Sequence, residues 1–142
     1  QAGALQRLVY RSLAATDAIA AVVRHAGGDV EAFEATARDL LPHFPGVSAL
    51  QLAPGGVVRH SVPLAGNEAA IGHDLLADPK RNREAVLALQ TRRLTLAGPF
   101  DLMQGGAAIV GRLPVFVGSG PGIFWGFSTA IMRVLLVAAP PG

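Results

Sequence analysis

The residue types that perform chemistry are present in this 142-residue chain, but mostly at spacings that exclude the common reactions. His25, His43, His60 and His73 fall in four separate segments with no HExxH pair, so they do not form the convergent ligand set of a zinc ion. Each reads as a surface or singly hydrogen-bonded histidine. His60, Ser61 and Asp74 supply the types of a hydrolytic triad, yet the GxSxG elbow that would expose a serine nucleophile is missing. Glu68, Asp74, Asp78 and Asp101 could be paired as acid and base for glycosyl transfer, as carboxylates could in any domain of this size. Gly118, Gly120 and Gly122 alternate between two strand-like runs, without the residues of a phosphate loop or dinucleotide fingerprint, and read as a hairpin tip. Cysteine is absent, which removes disulfides, thiolate metal sites and thiol nucleophiles together. Neither catalysis nor a cofactor is expected.

The basic residues are more informative. Arg81, Arg83, Arg92 and Arg93 gather around one predicted helix, but Asp78 and Glu84 interrupt them and no aromatic residues interleave as a base-stacking platform requires. They read as a solvated face. The net charge is only +2, and the pI near 9.9 reflects arginine's high pKa, Lys80 being the single lysine. Nucleic acid is therefore not an expected partner. Arg112 differs from the rest because it stands inside an otherwise apolar strand. Two roles are open to it: a structural ion pair with Glu68 or Asp74, or the anion-holding group of a ligand pocket.

The elements that must position these residues follow from the apolar pattern. With 51% hydrophobic and 15% charged residues the chain has enough apolar surface for one domain with its own core. Mean hydropathy is high at +0.40, yet the longest candidate run, 134–139, is far short of the roughly 18–20 residues of a membrane span. The first residue is Gln1 rather than Met and no signal peptide is evident, so the chain reads as a fragment or a processed product. Apolar residues at three- and four-residue spacing predict a helix over 5–26, ended by Gly27-Gly28. Its seam is close to a heptad, with Leu8 and Ile19 in it. The helix either packs only on its own domain or also makes a homodimer contact.

Asp29 is a candidate cap for a second helix that presents Val30, Phe33, Ala37, Leu40 and Leu41 on one face before Pro42 stops it. Runs at 47–52 and 57–62, joined by Ala53-Pro54-Gly55-Gly56, predict a hairpin. A loop at 63–67 and a short helical or irregular stretch through 76 follow. Asp78-Pro79 then marks the start of a helix over 80–93. Strands are expected at 94–97, before a turn at Gly98-Pro99, and at 107–117 and 123–132, with an exit helix after Met132. This order predicts an α+β domain: an antiparallel sheet of about five strands, a helical lead-in over 3–42, a sheet core over 44–132, and helices inserted between strands two and three. Alternation puts Ala49 and Gln51 on one face, and groups Val58, His60 and Val62. Phe124, Trp125 and Phe127 are walls of a pocket or core.

Several blocks occur in order from Phe44 to about Met132: Phe44-Pro45-Gly46-Val47-Ser48-Ala49-Leu50-Gln51-Leu52-Ala53-Pro54-Gly55-Gly56-Val57-Val58, then the loop Pro63 to Leu76 with Gly72-His73-Asp74, then Leu96-Ala97-Gly98-Pro99, Gln104-Gly105-Gly106, Gly111-Arg112-Leu113-Pro114-Val115-Phe116 and Phe124-Trp125-Gly126-Phe127. This set resembles the CHASE family. The resemblance implies a PAS-like sheet and an extracytoplasmic, periplasmic sensor held between two membrane helices of a histidine kinase, diguanylate cyclase or phosphodiesterase. The plant hormone-binding members are longer, so their ligand is not carried over. In such a sheet the concave face and the segments between strands two and three would enclose a small-molecule pocket, placing Gln51, His60, Asn67, Glu68, His73, Asp74, Arg112 and Trp125 as candidate ligand-binding residues. The alternative is a dimerisation or protein-interaction module with no small ligand.

Overall fold

The computed structural model describes residues 2–80, 82–101 and 106–134. Helix α1 (Ala2–His25) leads in, followed by α2 (Phe33–Leu40) and a 3₁₀ turn at Leu41–His43 that accommodates Pro42. Five strands follow: β1 (Val47–Pro54), β2 (His60–Val62), β3 (Thr95–Asp101), β4 (Ala107–Val117) and β5 (Ile123–Val134). A 3₁₀ turn (Glu68–Ala70) and helix α3 (Arg83–Thr91) are inserted between β2 and β3. All pairings are antiparallel, and the sheet order is β2-β1-β5-β4-β3. The α+β class, the strand count and the insertion match the sequence reading.

The helix ends follow local chemistry. At the C-terminus of α1, Gly27 and Gly28 adopt positive φ and the Gly28 N–H donates to the Val23 carbonyl, closing the helix as a glycine pair can. The predicted cap Asp29 instead makes a local turn, accepting from the Glu31 N–H, and α2 starts only at Phe33. Asp78 likewise accepts from the Lys80 N–H in a turn, so α3 begins at Arg83 rather than at 80. It ends at Arg92, which takes the left-handed conformation.

The two faces of the sheet carry different cores. On one, α1 crosses β4 and β5 and buries Ala15, Ile19 and Val23 with Leu50, Leu52, Val62, Val115, Ala130 and Met132, while α2 adds Phe33 and Ala37. Burying each of the larger aliphatic side chains stabilises the fold by roughly 1.5–3 kcal/mol. The middle of the predicted heptad seam, with Ile19 fully buried, is therefore occupied by the chain's own sheet. The side chains of Leu5 and Leu8 lie outside the described residues. Contact between α1 and β4 is close where Ser12 faces Gly111, a position with no room for a Cβ. On the opposite face a smaller core joins Ala53, Phe127, Val58 and Leu75 to Ala85 and Ala88 of α3.

Several strand boundaries differ from expectation. The second strand is only His60–Val62, because Val57 and Val58 pair with the loop at 72–74 instead of with β1. Val58 accordingly packs on the α3 face and Val62 on the α1 face, which breaks the predicted grouping of Val58, His60 and Val62. Gly98-Pro99, expected as a turn, lies within β3 at a shift in register. Gln104 and Gly105 of the matched blocks and the expected exit helix, apart from Arg133 and Val134 at the end of β5, lie outside the described residues.

Candidate functional site

One rung of the sheet is polar across all five strands. Ser61 pairs with Gln51, Gln51 with Thr129, Thr129 with Arg112, and Arg112 with Thr95. Residues directly opposite across strands share a face, and this rung belongs to the α3 side, two residues along each strand from buried Ala53 and Phe127. Its ends are satisfied: Gln51 Nε2 donates to Ser61 Oγ at 3.3 Å, and Thr95 Oγ1 donates to the Glu84 carbonyl at 2.9 Å, tying α3 to β3. Its centre is not. Arg112 Nε and Thr129 Oγ1 are buried with no hydrogen-bond partner among the described residues. A buried polar group without a partner costs about 1–3 kcal/mol, so the centre of the rung is held at the expense of stability.

Arg112 opens into a cavity of about 850 Å³ between the sheet and the segment that enters α3. Among the described residues, Lys80, Arg83 and Arg112 bring three cations to its lining and Glu84 one carboxylate, beside His73, Pro79, Gly98 and Phe100. Burial pushes the Arg112 guanidinium below its ordinary pKa, and the nearby Glu84 carboxylate opposes that shift. An ion pair of Arg112 with Glu68 or Asp74, one of the two roles open to it, does not occur among the described residues. Ion pairs within 4 Å among the described residues are Arg24 with Asp17 and Arg38 with Glu34, both elsewhere, so none neutralises a cation of the cavity.

The wall carrying His73 is built by backbone. The Val58 N–H donates to the His73 carbonyl, the Gly72 N–H to the Val58 carbonyl, and the Leu75 N–H to the Gly56 carbonyl. Asp74 accepts from the Leu76 N–H, and Asn82 Nδ2 donates to the Leu76 carbonyl, which joins this loop to the start of α3.

Of the eight sequence candidates, the cavity gathers His73 and Arg112. Gln51 is buried in the same rung, two strands from Arg112. Asn67 donates to the Pro63 carbonyl within its own loop, Glu68 is exposed in the 3₁₀ turn, and Asp74 is used in its turn. His60 and Trp125 do not line this cavity. His60 packs against the Phe33 ring of α2 at 6.1 Å, and Trp125 packs into the α1 core beside Gly28, so both are on the face of the sheet opposite Arg112. The sequence reading missed Glu84, Lys80 and the cavity role of Arg83, which it assigned to a solvated face. Only the docking of α3 on β3 turns that charged segment toward Arg112.

The family model described as the CHASE domain matches residues 3–138. The chain belongs to the CHASE domain family. CHASE domains are extracellular sensory modules without catalysis of their own, so this chain is a sensory domain. No curated protein matches it. Among solved structures it is similar to an extracellular ligand-binding receptor from Desulfohalobium retbaense DSM5692, with TM-score 0.71 and 17% identity over 92% of this chain. It is also similar to the ligand-binding domain of the Pseudomonas aeruginosa PAO1 amino-acid chemoreceptor PctC in complex with GABA, with TM-score 0.57 and 20% identity over 84% of this chain. These likenesses show the shared fold. The CHASE chain spans 23% of the length of the first and 50% of the second. Among the described residues no cluster of His and carboxylates could hold a metal ion, and no helix is long and apolar enough to cross a membrane.

Proposed function

We propose that this CHASE domain senses a small anionic molecule, which enters the cavity between α3 and the sheet and is anchored by Arg112. The observation that carries the reading is half-buried Arg112, with no ion pair among the described residues, lining a cavity whose described cations outnumber its carboxylates. Guanidinium forks match carboxylate and phosphate oxygens bidentately, and a half-buried one is pre-organised for that purpose. PctC, whose structure holds GABA, supports a small molecule as the signal in this fold.

The relay would run through β5. Thr129 stands beside Arg112 on the cavity face, while its neighbour Ser128 donates from the other face to the Thr16 carbonyl of α1 at 2.9 Å. A ligand that binds one arrangement of β4, β5 and α1 better than another shifts the population between them. In this reading the parent protein is membrane-anchored, the domain is periplasmic, and the output is a histidine kinase or a diguanylate cyclase or phosphodiesterase.

Thermal denaturation in the presence of carboxylate and phosphate metabolites tests the binding step. A ligand at 100 times its Kd adds about 2.7 kcal/mol. The expected result is a shift with anions that Arg112→Gln abolishes; no shift with any anion, or one that survives Arg112→Gln, refutes the reading.

A second reading, a dimerisation module, is favoured by the exposure of Tyr10 (65%) and Leu13 (42%) on α1. Any such contact would use these residues in place of Ile19.

A further inference from the structure

The charge balance of the cavity says more about the ligand than that it is an anion. Among the described lining residues three cations face one carboxylate, a surplus of two positive charges. They come from two walls. Arg112 is supplied by the middle of β4 and is half-buried, whereas Lys80 and Arg83 are supplied by the exposed segment that leads into α3. Arg112 forms the inner wall, and its cross-strand neighbour Thr129 is buried behind it. A single carboxylate seated at Arg112 would leave Lys80 and Arg83 on the outer wall without an anionic partner from the ligand.

A zwitterion fits less well than either kind of anion. Its ammonium group needs an anionic acceptor, for which the described lining offers only Glu84, and it brings no net charge to offset the surplus. Apolar lining is confined to Pro79, Gly98 and Phe100, enough to cover a short carbon chain.

Resting on the anion-sensor reading above, we propose that the ligand carries two anionic groups at the ends of a short chain: one held by Arg112, the other by Lys80 and Arg83. A small dicarboxylate and a phosphate-bearing carboxylate share this chemistry.

Three four-carbon probes separate the possibilities by calorimetric titration of the 142-residue domain at low salt: succinate with two carboxylates, butyrate with one, and GABA as the zwitterion. Succinate should bind at least about tenfold tighter than either, an advantage that falls as salt rises. The paired substitution Lys80→Gln with Arg83→Gln should erase that advantage while leaving butyrate affinity within about twofold. Arg112→Gln should abolish binding of both, and Arg112→Lys, which keeps the charge but loses the fork, should restore part of it; both variants are checked for folding by circular dichroism. If 3-phosphoglycerate outcompetes succinate, the two-anion site stands and its source is the phosphate compound. Equal affinity for succinate and butyrate, with both lost in Arg112→Gln, overturns the two-anion inference and spares the sensor reading. GABA binding tightest overturns the inference as well. Absence of binding by every probe, or binding indifferent to Arg112, overturns both.

Discussion

The contact between Ser12 and Gly111 gives a prediction whose sign depends on the tertiary structure. Gly111 lies in β4 with ordinary, not left-handed, φ, so replacing it by alanine carries no backbone strain. Taken alone, Gly→Ala at such a position stabilises a protein by about 0.4–1 kcal/mol, by reducing the freedom of the unfolded chain. Here a new Cβ would overlap Ser12 Oγ of α1, and Ser12 is fully buried. Overpacking of this kind costs about 1–3 kcal/mol. The net expectation for Gly111→Ala is a loss of about 1–2 kcal/mol, or roughly 3–6 °C in Tm at this chain length.

Ser12 Oγ is itself buried without a hydrogen-bond partner, so Ser12→Ala removes an unsatisfied hydroxyl and should be neutral or stabilising. With that oxygen gone, the nearest atoms to the new Cβ are Ser12 Cβ and Leu94 Cδ1, both at 3.4 Å, which is ordinary contact. The double variant should therefore recover to wild-type stability or beyond, giving a coupling of about 1–3 kcal/mol between the two sites. Urea denaturation of the wild type, both single variants and the double variant measures it. A Gly111→Ala protein as stable as wild type, or a double variant no better than Gly111→Ala, would refute the argument that α1 is seated on β4 through this pair.

Gly28→Ala should cost about 2 kcal/mol, since Gly28 has φ +97° and its Cβ would meet the Trp125 ring at 3.0 Å; a Tm within about 1 °C of wild type would contradict this. Trp125 is the single tryptophan, so its emission reports the same disturbance. Glu84→Gln takes the one carboxylate out of a cation-lined cavity and should raise affinity for a bound anion roughly 3- to 10-fold, measured by titration; weaker binding would mean that Glu84 orients Arg112 instead. Ile19→Glu should prevent folding, because it puts a charge at a fully buried site, while Tyr10→Glu with Leu13→Glu should leave circular dichroism unchanged. Sedimentation of that exposed-face variant against wild type decides whether α1 also carries a dimer contact.

The legible parts of the fold were those with long periodicity or strong punctuation. The 24-residue α1 and the paired strands β4 and β5 carry enough repeated apolar residues to be read without neighbours. Gly27-Gly28 and Pro42 stop their helices where expected. Short elements were misread where a local signal had two uses. Asp29 and Asp78 are as suited to a side-chain-capped turn as to a helix start, and both make the turn. Val57–Val58 has strand-like composition, but the Val57 N–H closes the turn onto the Pro54 carbonyl and Val58 exchanges its hydrogen bonds with the loop at 72–74.

The amino-acid sequence by itself determined the class of the domain, because apolar spacing and glycine and proline placement act over a few residues at a time. It also singled out Arg112, since a charge inside an apolar strand is anomalous whatever surrounds it. The tertiary structure alone decided what Arg112 faces. Register aligned it with Thr129, Gln51 and Thr95 in one rung, and the tie from Thr95 to α3 brought Glu84, Lys80 and Arg83 to the same cavity. His60 and Trp125 were sent to the opposite face by the same registers, because one residue along a strand reverses the side on which a side chain stands.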